Sequence, residues 1–360
     1  MKKLISLLLV LSLSLTLFVG CGSSSSETKE EGNTESKTEE TVKISVAAQA
    51  TSGQVFQYMA EEKGYLAEEG IEVEMQYINN GSDAFTALDG DMVDIISTYG
   101  TGGPLMQIAN GRDFCIFGGY MITGATPVFA KPETEYTDVE SFRGKTIAVM
   151  RGSTPDIVLR GILFDAGFDL SKDVTFIELK ANPDVMEAVK SGEADFGAVS
   201  TGFELQLEAA GLEIKMWPDD VWENHSCCRM VAKQDFINEN KDAVKKLLRA
   251  YLRAERDFQT DEGKAEIIEL TAKNLDLDKE TIESFVMSPH LKYETDPYRN
   301  SVVKMFDKMQ ECGYIEKTDM DITEHINVEI YKEALDSLVE EYPDDEFYQE
   351  KLAIFEEYDN

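Results

Sequence analysis

The chain of 360 residues contains one supersecondary pattern twice, and this internal repeat limits its possible folds more than any other feature. In the first copy, a strand pattern at Val42–Ala47 precedes a polar loop and a helical pattern from about Gln54 to Lys63, which Gly64 ends. In the second copy, a strand pattern at Lys145–Val149 precedes a polar loop and a helical pattern that ends at Gly167. A glycine after the last turn is typical of helix ends, because it adopts the left-handed conformation without strain.

A second pattern repeats at nearly the same offset. Ala87–Asp94 matches Ala188–Asp195, and in each copy a short helix stops and a strand begins. Each strand then ends in a Ser-Thr pair, which closes with Thr98 in the first copy and Thr201 in the second. Two matches in the same order indicate two similar α/β lobes. The 42% of hydrophobic residues is ample material for two cores.

The first 21 residues have the pattern of an export signal. A basic start is followed by an apolar run, Leu4–Val19, and by a small-residue site that ends in Cys21. This site resembles the bacterial lipobox, with Phe18 where leucine is commoner. A transmembrane anchor and a cleaved secretory signal are the alternatives, but the run is short for a membrane span and a polar tract follows directly. We therefore predict a lipoprotein signal peptide at 1–21, with lipid on Cys21.

Residues 22–41 contain no aromatic and no aliphatic side chain, so they cannot bury enough apolar surface to fold. We predict a disordered tether. The net charge of −35 repels nucleic acid and anionic lipid headgroups, which excludes both as partners. We expect a monomer outside the cytoplasm, held at the outer face of the cell membrane only by the lipid on Cys21.

Four cysteines remain, too few to stabilise a globular chain of this size by disulfide bonds: Cys115, Cys227, Cys228 and Cys312. We expect them to be buried thiols. Cys227 and Cys228 are adjacent and could form a vicinal disulfide, although neighbouring strand residues point to opposite faces. The three histidines are scattered along the chain. No metal site and no cofactor are predicted.

Several segments resemble the extracytoplasmic solute-binding proteins of ABC importers, in the nitrate, sulfonate, taurine and thiamine-precursor group. In order along the chain they are Glu61–Val73, Phe142–Val149, Ala166–Phe168, Asp173–Thr175 and Ser191–Asp195. The likeness extends from Val42 to about Phe258. Asp91 stands where that family commonly has glycine, and Gly90 beside it is a candidate for the left-handed turn position, which aspartate also tolerates.

The resemblance implies a type II periplasmic-binding-protein fold. This is an α/β architecture of two lobes, each a mixed sheet flanked by helices, which are joined by two crossing segments and close on a solute. We place the crossings at Met121–Phe129 and Cys227–Ala232. The predicted boundaries are 42–124 and 229–330 for lobe 1, 125–228 for lobe 2, and 331–360 for a helical tail packed on lobe 1.

Ligands of open α/β sheets bind outside the carboxyl ends of the strands, where loops lead into helix N-termini. The candidate ligand-binding residues are Gln49, Thr51, Ser52, Ser82, Thr98, Tyr99, Tyr120, Arg151, Ser153, Thr154, Thr201 and Trp222. Free N–H groups and hydroxyl donors at such loops suit an anionic headgroup. The alternatives stay open, because serine and threonine also cap helices and aromatic residues near strand ends also belong to cores. Thr154 in particular is predicted to cap its helix, with Pro155 at the first helical position.

No Walker lysine loop, Gly-x-Ser-x-Gly elbow or His-Glu-x-x-His helix is present, so we predict no catalytic residues and no enzyme. The resemblance implies the solute-binding subunit of an ABC importer, which captures a small anionic or zwitterionic solute such as a sulfonate, taurine or nitrate. It would deliver this solute to a permease and its ATPase. The alternatives are an aromatic heterocycle such as a thiamine pyrimidine precursor or a flavin, a binding module for a sensor, and a thiamine-pyrimidine synthase, which Cys227-Cys228 near His225 faintly resemble.

Overall fold

The computed structural model describes residues 41–50, 54–275 and 277–360. The predicted signal peptide, Cys21, nearly all of the tether, and the candidate residues Thr51 and Ser52 lie outside the described residues. Among the helices of the described ranges, none has the length and apolar character needed to cross a bilayer.

Twelve strands and fourteen α-helices form the described part of the chain. The strands are β1 (Val42–Ala48), β2 (Ile71–Tyr77), β3 (Ile95–Ile96), β4 (Phe114–Gly119), β5 (Met121–Thr123), β6 (Val128–Ala130), β7 (Thr146–Met150), β8 (Thr175–Leu179), β9 (Phe196–Ala198), β10 (Glu213–Met216), β11 (Arg229–Lys233) and β12 (Lys292–Tyr293). The helices are α1 (Val55–Glu62), α2 (Tyr65–Glu68), α3 (Gly81–Asp89), α4 (Gly102–Ala109), α5 (Thr154–Asp165), α6 (Asn182–Ser191), α7 (Glu204–Ala209), α8 (Gln234–Glu239), α9 (Lys241–Phe258), α10 (Asp261–Leu275), α11 (Lys279–Val286), α12 (Arg299–Glu311), α13 (Glu329–Glu341) and α14 (Glu346–Tyr358).

The strands form two five-stranded sheets with the same topology. The first sheet has the order β2-β1-β3-β11-β4, and the second, read in the matching direction, has the order β8-β7-β9-β6-β10. In each sheet the first three strands are parallel, and the fourth is antiparallel to both of its neighbours. A separate two-stranded sheet pairs β5 with β12. The predicted two-lobe α/β fold with mixed sheets is confirmed.

The two copies of the repeat also share an equivalent contact inside each lobe. The Asp94 carboxylate accepts hydrogen bonds from the Ser45 N–H and hydroxyl, both at 2.7 Å, and the Asp195 carboxylate accepts one from the Thr146 N–H at 2.8 Å. Each aspartate therefore joins the first and third strands of its lobe. A left-handed residue precedes the third strand in both lobes. It is Asp91 in the first lobe, with φ 55°, and the equivalent Gly192 in the second, with φ 84°. Asp91 itself adopts this conformation, not its neighbour.

Helix α5 begins one position earlier than its capping pattern predicts. Ser153 is the N-cap, Thr154 is the first helical residue and Pro155 the second. The prediction that Thr154 caps this helix is wrong. Instead of a capping hydroxyl, the Asp156 carboxylate in the first turn accepts a backbone hydrogen bond at this terminus, from the Gly152 N–H at 2.8 Å. The Ser153 hydroxyl is consequently left without a capping bond.

The chain passes between the sheets twice. It leaves the first sheet after β4, forms β5 and enters the second sheet at β6, and it returns between β10 and β11. Helix α12 contacts both α4, beside the first sheet, and α5, beside the second, and its Lys308 pairs with Asp165 of α5. Trp222 of the return segment lies against the same helix, with the Lys304 Nζ 4.6 Å from the ring centre. Helix α12 therefore stands beside the crossing segments and touches both lobes.

The C-terminal helices pack on the first lobe through a buried ionic cluster. Helix α13 lies along α9, and α14 carries Lys351, which is 4% exposed and pairs with Glu255 of α9 and, at 3.0 Å, with Glu294. The Thr295 N–H and hydroxyl donate to the same Glu255 carboxylate at 2.8 and 2.6 Å. Burial alone would lower the pKa of Lys351, but the two carboxylates raise it above its ordinary value. The ammonium group is therefore charged and holds α14 in place.

Candidate functional site

A cavity of about 710 Å³ lies between the loops at the carboxyl ends of the strands of both sheets. Its first wall comes from the loops after β1, β2 and β3, and its second wall from the loops after β7, β8 and β9. The crossing segments form the remaining side, through Met121, Thr126, Cys227 and Cys228. The cavity is therefore a cleft between two lobes, at the edge where open α/β sheets bind ligands.

Eight of the described candidate residues line this cavity. They are Gln49, Ser82, Thr98, Tyr99, Arg151, Ser153, Thr154 and Thr201. Tyr120 and Trp222 do not reach it. Tyr120 is 1% exposed and packs edge-on against Phe56 and Tyr293, at 5.5 and 6.1 Å between ring centres. Trp222 is buried against Gly161 and Lys304. Both are therefore core aromatics. The sequence could not show this, because an aromatic residue near a strand end has the same pattern in a core as in a cleft.

On the first wall, several polar groups are already used to hold the loops. The Gln49 N–H donates to the Thr98 hydroxyl at 2.7 Å, and the Tyr99 hydroxyl donates to the Ile78 carbonyl at 2.6 Å. Burial raises the pKa of Tyr99, so its phenol stays protonated. Asn80 caps α3 by accepting the Asp83 N–H at 3.2 Å. These residues shape the wall, while Ser82, exposed in the first turn of α3, presents a hydroxyl to the cavity.

On the second wall, the Ser153 hydroxyl is buried and has no hydrogen-bond partner among the described residues. It stands at the N-terminus of α5, a helix of 12 residues. A buried hydroxyl without a partner costs about 1–3 kcal/mol of desolvation, so such groups are normally satisfied. A ligand oxygen in the cavity would supply the missing partner.

The cavity wall carries positive charge in a strongly acidic protein. Its lining includes Arg151 and Lys180 and, within the described ranges, no carboxylate, although the chain has a net charge of −35. Arg151 pairs with Glu178 at 2.5 Å, whereas Lys180 forms no ion pair in the part of the chain that the structure describes. Lys180 was missed by the sequence analysis. It directly follows β8, so the rule about strand ends would have found it in the second copy.

Another part of the wall is apolar and polarisable. Phe85, Phe203, Met106, Met121 and Met150 face the cavity. The Phe85 ring is held edge-on by Tyr99 at 5.9 Å, and a Cβ atom on Gly103 would lie only 2.5 Å from it. This wall offers packing area for the body of a solute. Phe203 follows a strand end and is a cleft candidate from the sequence, whereas Phe85 and the three methionines could not be predicted, because they have the same spacing as core residues.

A buried arginine lies one layer behind the crossing segments. Arg229 is 1% exposed and donates to the carbonyls of Pro297 at 2.7 Å, Cys228 at 3.0 Å and Met121 at 3.2 Å. Burial lowers the pKa of Arg229 to about 10, so the guanidinium still carries its charge at neutral pH. Among the described residues it forms no ion pair with a carboxylate. Because Met121 and Cys228 line the cavity, this charge adds to the positive potential there.

The cavity is equipped for binding, with no acid–base pair for catalysis among its described lining residues. His225 does not line it; its Nε2 accepts the Gly124 N–H at 3.4 Å and its Nδ1 lies 3.3 Å from the Trp222 carbonyl. Burial lowers the pKa of His225 to about 4, which keeps the ring neutral. In the described residues, three potential metal ligands meet only at Asp219, Asp220 and His290, which lie outside the cavity.

Known proteins share this architecture. The "Putative binding protein YtlA" of Bacillus subtilis (strain 168) is 24% identical over 272 residues, which cover 73% of this chain and 81% of the relative. The periplasmic aliphatic sulphonate binding protein SsuA from Escherichia coli superposes with a TM-score of 0.64 at 17% identity, over 80% of this chain and 91% of SsuA. The periplasmic nitrate-binding protein NrtA from Synechocystis PCC 6803 superposes with a TM-score of 0.67 at 18% identity, over 83% of this chain and 89% of NrtA.

The family model described as NMT1/THI5 like matches residues 53–262, more than half of the chain. This range begins between β1 and α1 in the sequence and ends in α10, so it contains all of the second sheet and most of the first. The chain belongs to the NMT1/THI5-like family of two-lobe periplasmic-binding-protein folds.

Proposed function

We propose that this protein is the solute-binding subunit of an ABC importer and captures an organic anion between its two lobes. The observation that carries the proposal is the charge of the cavity. Two cationic side chains and no carboxylate are found among its described lining residues, in a chain of net charge −35. The unpartnered Ser153 hydroxyl at the N-terminus of α5 adds a donor for the anionic group.

The size and the apolar wall of the cavity favour a solute with a carbon body over a small inorganic ion. A volume of about 710 Å³ lies in the range of pockets that hold drug-sized molecules. Phe85 and Phe203 offer rings to a planar group. An organic sulfonate is our first candidate, and an acidic aromatic heterocycle is the second, since the same two rings would stack on it.

Transport requires that the solute binds the closed arrangement of the lobes better than the open one. Contacts from both walls supply this difference, because the Phe85 ring comes from the first lobe, whereas the donors of α5 and the Phe203 ring come from the second. In our proposal the loaded protein then docks on a permease whose ATPase drives release. A lipid on Cys21 would hold the monomer outside the cell membrane, and the protein would act by binding and not as an enzyme.

A thermal-shift screen of the mature protein tests the proposal. We expect anionic alkyl- and arylsulfonates to raise the melting temperature more than nitrate, the zwitterionic sulfonate taurine or neutral heterocycles do. A ligand at about 100 times its dissociation constant adds about 2.7 kcal/mol of stability. Stabilisation by neutral heterocycles alone would contradict an anion site.

Lys180→Gln separates the charge of the cavity from the fold. We expect this variant to bind the best sulfonate about 2- to 5-fold more weakly, as an exposed charge contributes up to about 1 kcal/mol. Lys190→Gln, an exposed lysine of the same lobe on α6, is the matched control and should bind like the unmodified protein. Equal affinity of the two variants in titration calorimetry would remove Lys180 from the site.

A further inference from the structure

Cys227 and Cys228 bring two thiols together in the wall of the cavity. Their sulfur atoms lie 3.7 Å apart, both residues line the cavity, and both are free thiols. In a regular strand neighbouring side chains point to opposite faces, but β11 begins only at Arg229. The two sulfur atoms therefore meet just before the strand pattern starts.

The backbone of the pair is held from both sides. The Cys227 and Cys228 N–H groups donate to the carbonyls of Ile122 and Met121, at 3.2 and 2.8 Å, and the Cys227 carbonyl accepts the Thr101 N–H at 2.7 Å. These bonds connect the two crossing segments with the loop after β3. A change in the pair is consequently transmitted to the segments that join the lobes.

The surroundings activate one of the two thiols. The hydrogen bond with Cys228, the charge of Arg229 and the Thr154 hydroxyl lower the pKa of the Cys227 thiol, despite its burial. The same bond and burial raise the pKa of Cys228. By contrast, burial raises the pKa of Cys115 to about 12 and that of Cys312 to about 11. Thiolates are the nucleophiles in disulfide exchange, so Cys227 is the attacking sulfur.

We infer that Cys227 and Cys228 are a redox modification site in the cavity wall, which a small-molecule disulfide converts from two thiols to a vicinal disulfide. In the first step the Cys227 sulfur attacks the disulfide RS–SR, so that a mixed disulfide forms and one RS⁻ leaves. In the second step Cys228, losing its proton, attacks the Cys227 sulfur and a second RS⁻ leaves. The protein loses two electrons and two protons, and RS–SR is reduced to two RSH.

The bond formed in this way is easily reversed. Closure requires the sulfur atoms to approach from 3.7 Å to about 2.0 Å. Adjacent Cα atoms are about 3.8 Å apart, below the usual range of about 4.4–6.8 Å for disulfides. Strained disulfides have more oxidising potentials and are the labile and regulatory ones. The pair therefore serves as a switch and not as a structural cross-link.

Peptide mapping of the purified, reduced full-length chain tests this site with oxidised glutathione as the probe. After exposure and alkylation with N-ethylmaleimide, we expect the peptide with Cys227 and Cys228 to lose both alkylatable thiols together and to regain them with dithiothreitol. Cys228→Ser should retain a glutathione adduct on Cys227, because the resolving thiol is gone. Cys227→Ser should leave Cys228 unreacted at least about tenfold longer than Cys227 in the unmodified protein.

Cys115→Ser and Cys312→Ser are the matched controls, and both should still form the disulfide. A stable glutathione adduct on unmodified Cys227 would refute resolution by Cys228. Reaction of Cys227 no faster than Cys115 would refute the site altogether. Circular dichroism melting curves verify that the serine variants are folded. None of these measurements uses a transported solute, so their outcome does not depend on whether the proposed function is correct.

Discussion

Replacing Lys351 with methionine tests whether the C-terminal helix is held by its buried charge. In the structure the Lys351 ammonium group neutralises Glu255, which is fully buried, and Glu294, which is 5% exposed. Lys351→Met leaves both carboxylates buried without their shared cation. Breaking a buried ion pair from one side costs about 3–5 kcal/mol, a large part of a total stability of about 5–15 kcal/mol.

Urea denaturation of the full chain, followed by circular dichroism, measures this loss as a lower midpoint. Lys241→Met is the matched control, because Lys241 also joins α9 to a C-terminal helix, through Glu333 at 2.5 Å, but both side chains are about half exposed. The control should lose at most about 1 kcal/mol. The double variant Lys351→Met with Glu255→Gln should regain part of the loss, because it removes the carboxylate that is left without a cation, whereas Glu294 keeps its pair with Lys292 at 2.9 Å.

The pH dependence gives a further check on the same variant. Burial already raises the pKa of Glu255 in the unmodified protein, and the loss of Lys351 removes the charge that opposes this. A carboxyl with a raised pKa in the folded state stabilises the fold when protonated and loses that stability as the pH rises. The deficit of Lys351→Met should therefore shrink as the pH falls toward about 4.3, the ordinary value for glutamate. A deficit equal to that of Lys241→Met at every pH would refute the ionic anchoring of α14.

Three further predictions concern the cavity and its surroundings. Ser153→Ala combined with Thr154→Ala should weaken solute binding while leaving the melting temperature of the free protein within a few degrees; unchanged calorimetric titrations would exclude both hydroxyls from the site. Gly103→Ala should displace the Phe85 ring, which lies 2.5 Å from the added Cβ, and should weaken binding of arylsulfonates more than of alkylsulfonates; an equal effect on both would contradict ring packing. Burial lowers the pKa of His225 to about 4, below its ordinary value of about 6.5. The neutral ring should therefore add about 3 kcal/mol to the free energy of unfolding above pH 6.5, and this stability should be lost as the pH falls to 4. His225→Gln should flatten this part of the stability curve, and an unchanged curve would contradict the assignment.

The repeat in the sequence predicted two similar α/β lobes, because duplicated segments bury equivalent faces, although it did not give the order of the strands in the sheets. Asp94 and Asp195 occupy the same place in their copies and bond the equivalent strand residues, Ser45 and Thr146. The rule that ligands bind at strand ends also selected eight of the residues that line the cavity. Both predictions depend only on which residues follow one another along the chain, which the sequence states directly.

The parts that sequence reasoning missed depend on packing between distant segments. Tyr120 directly follows β4 and Phe85 lies in the middle of α3, yet only Phe85 reaches the cavity, since Gly103 leaves room for its ring. The meeting of Cys227 and Cys228 depends on where β11 begins, which is set by hydrogen bonds to the crossing segments. Neither fact follows from hydrophobic periodicity.

Helix α12 lies where the two lobes would pivot against each other. It contacts α4 of one lobe and α5 of the other, and its Lys304 lies over Trp222 of the return segment, so the lobe rotation of the proposed function would pivot beside it. Displacement grows with distance from a pivot, and a shift small enough to preserve the Lys308–Asp165 pair would become a wide movement at the mouth of the cleft. Substitutions on α12 should therefore alter how far the mouth opens without touching any residue that contacts the cargo.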